Sequence, residues 1–259
     1  MNIQTLPRKE TIVKRAIIPK LDYLLFADYS QIEMRILAYY MACCGDKSMV
    51  QILSDPTKDL HTESAMGAFL LEREPHDWER QLGKNLNFSM VFGGGKPAVL
   101  RYLTEAYQEN PKEVPKPSWA AAGRLLNNFH RRWPGIGVVI ALLEATYRER
   151  GYVKTIAGAR LHPTSNHKLL NAVVQGSAAE ELRAALRVCH NKTRNMSSHL
   201  VCNVHDEIAF DVREDELGYL TEWVPVWMDA FPEVSEVVPI TVDLAFTTTN
   251  WADKHKLGA

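Results

Sequence analysis

The sequence predicts an α+β fold, with strands near both ends of the chain and a middle that is almost wholly helical. Three observations predict it. An apolar run at residues 21–27 ends on Asp28, and two short apolar runs, 200–204 and 208–212, flank His205-Asp206-Glu207. Between them, apolar residues recur at helical spacing rather than in alternation. One sheet-based unit interrupted by a helical subdomain fits this order better than repeated strand–helix units.

Taken in order, residues 21–27 read as a buried strand and 32–41 as a helix close behind it. Asp55-Pro56-Thr57 marks a break, after which 60–71 is helical again. Glu74-Pro75 opens a further helix that the triple glycine Gly93-Gly94-Gly95 closes. Pro111, Pro115 and Pro117 lie in a loop; helical patterns resume at 119–133 and, beyond Pro134-Gly135, at 138–150. Residues 152–156 and 161–162 form a short hairpin around Gly158, and 169–191 is one long helical pattern. No internal repeat or low-complexity tract interrupts the series.

The totals exclude several classes. Hydrophobic residues make up 46% and charged residues 24% of 259, a globular balance that argues against disorder or a fibre. No apolar run approaches the roughly 20 residues a membrane helix needs, and residues 1–20 lack the apolar core of a secretory signal. Cys43, Cys44, Cys189 and Cys202 form no CxxC pair, and the nine histidines no HExxH, so reduced thiols in a cytoplasmic protein are expected and a zinc site is not. The net charge of −1 hides an asymmetry. Arg8, Lys9, Lys14, Arg15 and Lys20 face only Glu10 in the first twenty residues, whereas 211–243 is acid-rich with Arg213 its sole Lys or Arg. Charge alone favours two ordinary solvated surfaces over a basic face with an acidic back.

Asp28 and Asp206 are the first candidates for chemistry. Each stands at the end or turn of an apolar strand, where an ionised carboxylate costs several kcal/mol unless a cation compensates it. Brought together, two such aspartates would suit Mg²⁺, which keeps waters and substrate phosphates in its remaining positions; taken singly, each reads better as a cap or turn residue. Arg80, Lys84, Phe88 and Phe92 then recur every fourth residue over a stripe of about 18 Å, cations toward the helix N-terminus and aromatics toward its end. A nucleoside triphosphate has that same polarity, although periodicity alone favours an amphipathic helix with solvated cations and two core phenylalanines. Gly83, inside this helix, costs about 1 kcal/mol relative to alanine and is there for close approach or is merely tolerated. The triple glycine is no phosphate loop, since neither GKS nor GKT follows.

Together these segments resemble the family A DNA polymerases, the bacterial DNA polymerase I group and related phage enzymes. Residues 28–35, DYSQIEMR, are similar to the family's first palm motif; Arg80 through Phe92, with the Asn87-Phe88 pair, to its fingers motif; and 204–207, VHDE, to its second palm motif. Asp59-Leu60-His61-Thr62, Asn171 with Gln175-Gly176, and Asn250-Trp251 resemble three shorter signatures. The resemblance covers nearly the whole chain, and three ordered motifs are far more specific than one.

The resemblance implies roles. Asp28 and Asp206, with the Tyr29 carbonyl, would hold two Mg²⁺ ions, with Mn²⁺ as a substitute, and Glu207 would be an accessory acid. Arg80, Lys84 and His61 would bind the triphosphate of a dNTP, Lys84 also protonating the leaving group, while Phe88 stacks on the incoming base and Gln31 places the phosphates. Glu33 would exclude a ribose 2′-OH. Phe92 occupies the place of a tyrosine that helps position the template, and Phe88 that of a tyrosine in some members, which implies poor acceptance of dideoxynucleotides. Ser89 replaces a common glycine, and His167 stands where bacterial members carry arginine and some phage members histidine. His167, Asn171, Gln175 and His205 would contact primer-template DNA. For Asn171 and Gln175 a plain polar helix face, and for His61 and His205 a structural hydrogen bond, remain the competing readings.

The implied organisation is a palm from residues 1–45 and 169–259, interrupted by fingers at 46–168, with thumb and exonuclease domains absent. A DNA polymerase split between chains follows as an expectation, its protein partner carrying the thumb and a 3′–5′ exonuclease, in the cytoplasm of a bacteriophage's host. A non-catalytic nucleic-acid-binding remnant or assembly subunit, a self-sufficient enzyme of low processivity, a template-independent nucleotidyltransferase and a piece of a longer protein are the alternatives.

Overall fold

The computed structural model describes residues 11–257 and divides the chain into two compact units. The first takes the chain up to residue 32, residues 179–236 and everything from 240 onward; the second takes 33–178 with 237–239. Arg8, Lys9 and Glu10, part of the basic N-terminal stretch, lie outside the described residues. No helix among the described residues is long and apolar enough to cross a membrane.

The first unit is built on a five-stranded antiparallel sheet. Its strands are β1 (Tyr23–Tyr29), β4 (His199–Val204), β5 (Glu207–Val212), β6 (Val242–Thr247) and β7 (His255–Lys256), in the order β4-β5-β1-β6-β7. Because β1 is central, both of its faces are covered, and Leu24, Leu25, Phe26 and Ala27 are all buried. That is why the run reads as continuously apolar rather than alternating. One face carries Leu24, Phe26, Ala209, Ala245 and Trp251; the Trp251 ring stacks on Phe26 with centroids 5.3 Å apart. On the other side, the Tyr29 hydroxyl donates to the Met228 carbonyl of α10 (Glu214–Met228).

The second unit holds α3 (Ser48–Leu53), α4 (Leu60–Phe69), α5 (Asp77–Val91), α6 (Lys96–Glu109), α7 (Trp119–Arg132), α8 (Pro134–Arg150) and the hairpin of β2 (Val153–Lys154) and β3 (Arg160–Leu161). Most of α2 (Ile32–Cys43) and the first part of α9 (Leu169–Thr193) also belong here. Asp59 caps α4 by accepting the Thr62 N–H at 2.8 Å. Glu79 does the same for the start of α5, accepting the His76 N–H at 2.7 Å while paired with Arg73 at 2.8 Å. Such caps are each worth about 1 kcal/mol.

Expected elements are found with shifts of a few residues at their ends. α8 starts at Pro134 rather than 138, since proline is well placed in a first helical turn. Seven elements were not anticipated: α1 (Thr11–Arg15), α3, α6, α10, α11 (Pro232–Ser235), β6 and β7. The acid-rich stretch has a structural use. Asp211 accepts the backbone N–H groups of Lys20 and Leu21, and Glu216 those of Ser197 and Ser198. The four cysteines are free thiols, as expected.

Gly83 is there for close approach. A Cβ at that position would meet the His61 carbonyl oxygen of α4, the Ala65 amide nitrogen at 2.8 Å and the Ala65 Cβ at 2.9 Å. Backbone cannot yield as a side-chain tip does. Gly83→Ala is therefore expected to destabilise the protein by about 1–3 kcal/mol despite alanine's better helix propensity, read as a lowered denaturant midpoint. A midpoint at or above that of the parent chain would show that α4 and α5 separate freely.

Candidate active site

The carboxylates of the first unit meet because of strand register. Asp28, the penultimate residue of β1, faces Glu207 on β5 and Asp243 on β6. Directly opposed residues in an antiparallel sheet point to the same side, so three acids form one row. Asp206 reaches the row from the two-residue turn between β4 and β5, and the Tyr29 N–H donates to its carbonyl at 3.3 Å. His205, the first residue of that turn, has φ +54°, and Gln31, just beyond β1, has φ +57°. Left-handed backbone at non-glycine residues costs about 1 kcal/mol or more and clusters at functional sites.

Asp28 is the most perturbed of the acids. Its Oδ1 is buried without a hydrogen-bond partner among the described residues, as is Gln31 Oε1. Burial first, then the negative charges of Asp206 and Glu207, push its carboxyl up to about 7, with Asp243 adding to the rise and Lys254 opposing it. A cleft of about 280 Å³ opens over this row, its walls including Lys14, His205, Trp251 and Lys254. An orphaned, partly desolvated carboxylate among like charges fits a cation ligand. Among the described residues no three His, Cys, Asp or Glu side chains close into a metal cage. Two aspartates and a backbone carbonyl would leave the remaining positions to water and phosphate, an arrangement suited to Mg²⁺.

The second unit brings together a different set. Arg80 donates from Nε to Asp59 Oδ2 at 2.9 Å, so the residue that caps α4 also aims the guanidinium from α5. Lys84 lies one turn further on and is partly exposed. His61, on α4, is 5% exposed and belongs to a buried chain of hydrogen bonds. Trp133 Nε1 donates to Ser64 Oγ at 3.0 Å, and that hydroxyl donates to Asn87 Oδ1 at 2.8 Å. This orients the Asn87 amide so that Nδ2 faces His61 Nδ1 at 2.9 Å. Nδ1 therefore accepts, and the ring proton sits on Nε2. Burial is the main reason that His61 is pushed down to about 4; Asp59 pulls the other way, and Lys84 and Arg80 push with burial. At neutral pH His61 is an uncharged N–H donor. One ring nitrogen is thus structural, held by Asn87.

The aromatic end of the stripe is not core. Phe92 is 51% exposed and Phe88 partly exposed, their rings stacked at 6.4 Å with planes 23° apart. His61 lies 6.1 Å from Phe88. The triple glycine has a positional use: Gly93, at φ +72°, passes so close to the His167 carbonyl that any Cβ would strike it. His167 is exposed there. Asn171 and Gln175 stand one turn apart on α9, half-buried and exposed, and Glu33 is half-buried in the first turn of α2. Sequence reasoning missed Asp243 and Lys254, which register and a closing turn bring to the carboxylate row. It also missed Ser64 and Trp133, which no local pattern marks.

A carboxylate row under a cleft and a cationic, aromatic helix face are the parts a nucleotidyl-transfer enzyme needs. The chain matches the family described as DNA polymerase family A over residues 1–253 and belongs to that family. It is 27% identical over 262 residues to DNA polymerase I of Lactococcus lactis, covering 93% of this chain and 28% of that protein. It is 26% identical over 231 residues to the thermostable DNA polymerase I of Thermus aquaticus, covering 83% and 26%. Among solved structures, the POL domain of Pol1 from M. smegmatis, in complex with DNA primer-template and dNTP, shares the fold with a TM-score of 0.80 at 24% identity, over 96% of this chain and 44% of that one. The chain thus spans under a third of the length of these curated relatives.

Proposed function

We propose that this chain adds deoxynucleotides to a primer 3′-OH in template order, using two Mg²⁺ ions held by Asp28, Asp206 and the Tyr29 carbonyl, with Mn²⁺ as a substitute. The observation that carries the reading is Asp28, an orphaned carboxylate at the end of the central strand, set among like charges. Bound there, the ions would supply Lewis-acid activation of the hydroxyl and neutralise charge on the transferring phosphate.

The chain's own residues do the rest. Arg80 and Lys84 hold the triphosphate, and His61 donates its Nε2 proton to a phosphate oxygen. The bond from the 3′-oxygen to the α-phosphorus forms as the bond to pyrophosphate breaks; the hydroxyl passes its proton to solvent water, and Lys84 gives one to the leaving pyrophosphate. Phe88 stacks on the incoming base, Phe92 borders the template, Gln31 places the phosphates, Glu33 excludes a 2′-OH, and Glu207 assists as an accessory acid. His167, Asn171, Gln175 and His205 contact primer or template. In this reading residues 1–45 and 169–259 are the palm and 46–168 the fingers. The duplex grip of a thumb, and any exonuclease, come from protein outside this sequence, which we propose is a partner chain.

Primer extension by this chain on a primed template, with Mg²⁺ and all four deoxynucleotides, tests the reading. Templated extension lost in Asp206→Ala is the expected result. Extension without template would replace it with template-independent transfer, and no extension even with thumb-bearing fragments supplied in trans would overturn it.

A further inference from the structure

Lys254 is tied into the carboxylate row by the end of the chain. Asn250 caps the turn Trp251–Asp253, accepting the Ala252 N–H at 3.0 Å, and the Trp251 N–H donates to the Ile17 carbonyl at 2.9 Å. Trp251 is 3% exposed, stacked on Phe26. Lys254 follows this anchored turn. Its ammonium lies over the Phe26 ring, 4.9 Å from the centroid, and pairs with Glu207 Oε2. Phe26 and Asp28 are two residues apart on β1 and share a face of the sheet. The ammonium is thus set beside the same row that faces the cleft. The side chains are 32% exposed for Lys254 and 12% for Glu207, so water screens the pair only in part.

We infer that Lys254 is a positioning residue and the row's resident counter-cation: it holds Glu207 in place and weakens the grip of the two aspartates on divalent ions, so that ions are held firmly only when substrate phosphate joins the site. Four carboxylates with no internal cation would bind a divalent ion tightly before any nucleotide arrived. A fixed positive charge a few ångströms away opposes the ion by Coulomb repulsion and is itself too weak to replace it. Lys256 pairs with Asp243 Oδ1 at 3.7 Å, but with side chains 67% and 53% exposed that pair is open to water, which leaves Lys254 as the partly buried cation of the row. Lys14, 5.9 Å from the Trp251 ring, lines the same cleft but stands on another element.

This inference rests on the metal-binding reading of Asp28 and Asp206, and the test separates the two. Mn²⁺ is titrated into the chain without DNA or nucleotide, at about pH 8.5 so that protons compete little, and free ion is read by electron paramagnetic resonance. Lys254→Met, which keeps the stem against Phe26, is expected to tighten Mn²⁺ binding at least about fivefold. Lys254→Arg, which keeps the charge, is expected to stay near the parent value. Thermal melts verify that each variant is folded. Unchanged or weaker binding in Lys254→Met, with Asp28→Asn still abolishing binding, overturns the inference and leaves the reading standing. Parent-like binding in Asp28→Asn overturns the reading and the inference with it.

Discussion

Asp28→Asn is expected to lower nucleotide incorporation by about a thousandfold or more, since on the proposed function it removes a ligand whose ion would stabilise several kcal/mol of transition-state charge. The same change is expected to raise the melting temperature when measured in EDTA. Ionised Asp28 is half-buried, has no hydrogen-bond partner for its buried Oδ1 among the described residues and faces like charges. Its folded pKa of about 7 lies above the ordinary 3.8, so its contribution to stability is complete below 3.8 and is lost as pH rises through about 7. The neutral amide does not suffer that loss. At about pH 8 the gain should be on the order of 2 kcal/mol after discounting for solvent, and the two melting curves should converge toward acid pH. An inactive variant that melts below the parent chain at about pH 8 would mean that Asp28 stabilises the sheet, which a metal ligand held at a cost does not do.

The second large effect is expected at the cationic face. Lys84→Ala should reduce single-turnover incorporation by about a hundredfold or more, because on the proposed function it removes both a phosphate contact and the proton donor to pyrophosphate. Arg80→Ala should act mainly on KM for the nucleotide, a loss of binding shared by ground and transition states. Asp59→Ala is expected to repeat part of the Arg80 defect, since the guanidinium loses the carboxylate that aims it. A Lys84→Ala rate within about threefold of the parent would remove Lys84 from the chemistry.

What could be read from the residues follows from how each element is stabilised. β1 was legible because a central strand, covered on both faces, is apolar throughout; Asp28 stood out as the polar residue that ends it. The α5 stripe was legible because its spacing is helical, but whether its phenylalanines were core or surface depends on what packs against them. β6 escaped notice because Asp243 and Thr247 interrupt an apolar pattern, and a two-residue β7 carries no pattern at all. α10 opens on Glu214, Asp215 and Glu216 and contains Pro225, which ordinarily breaks a helix. α6 begins directly after the glycines, with a proline in its first turn. The chain Trp133–Ser64–Asn87–His61 joins residues up to 69 positions apart, so it becomes visible only once α4, α5 and α7 are packed. The same holds for Lys254, whose position is set by a cap, a stacked tryptophan and strand pairing.

The glycine seam between α4 and α5 has a mechanical corollary. His61 hangs from one helix and Arg80, Lys84 and Phe88 from the other, and their backbones touch with no side chain between them to act as a bearing. Hydrogen bonds through Asn87 rivet the same joint from inside. Such a jaw is cast in one piece: under the proposed function it would not close on a nucleotide finger by finger, and a substrate that misfits at the base would forfeit its hold on the phosphates as well.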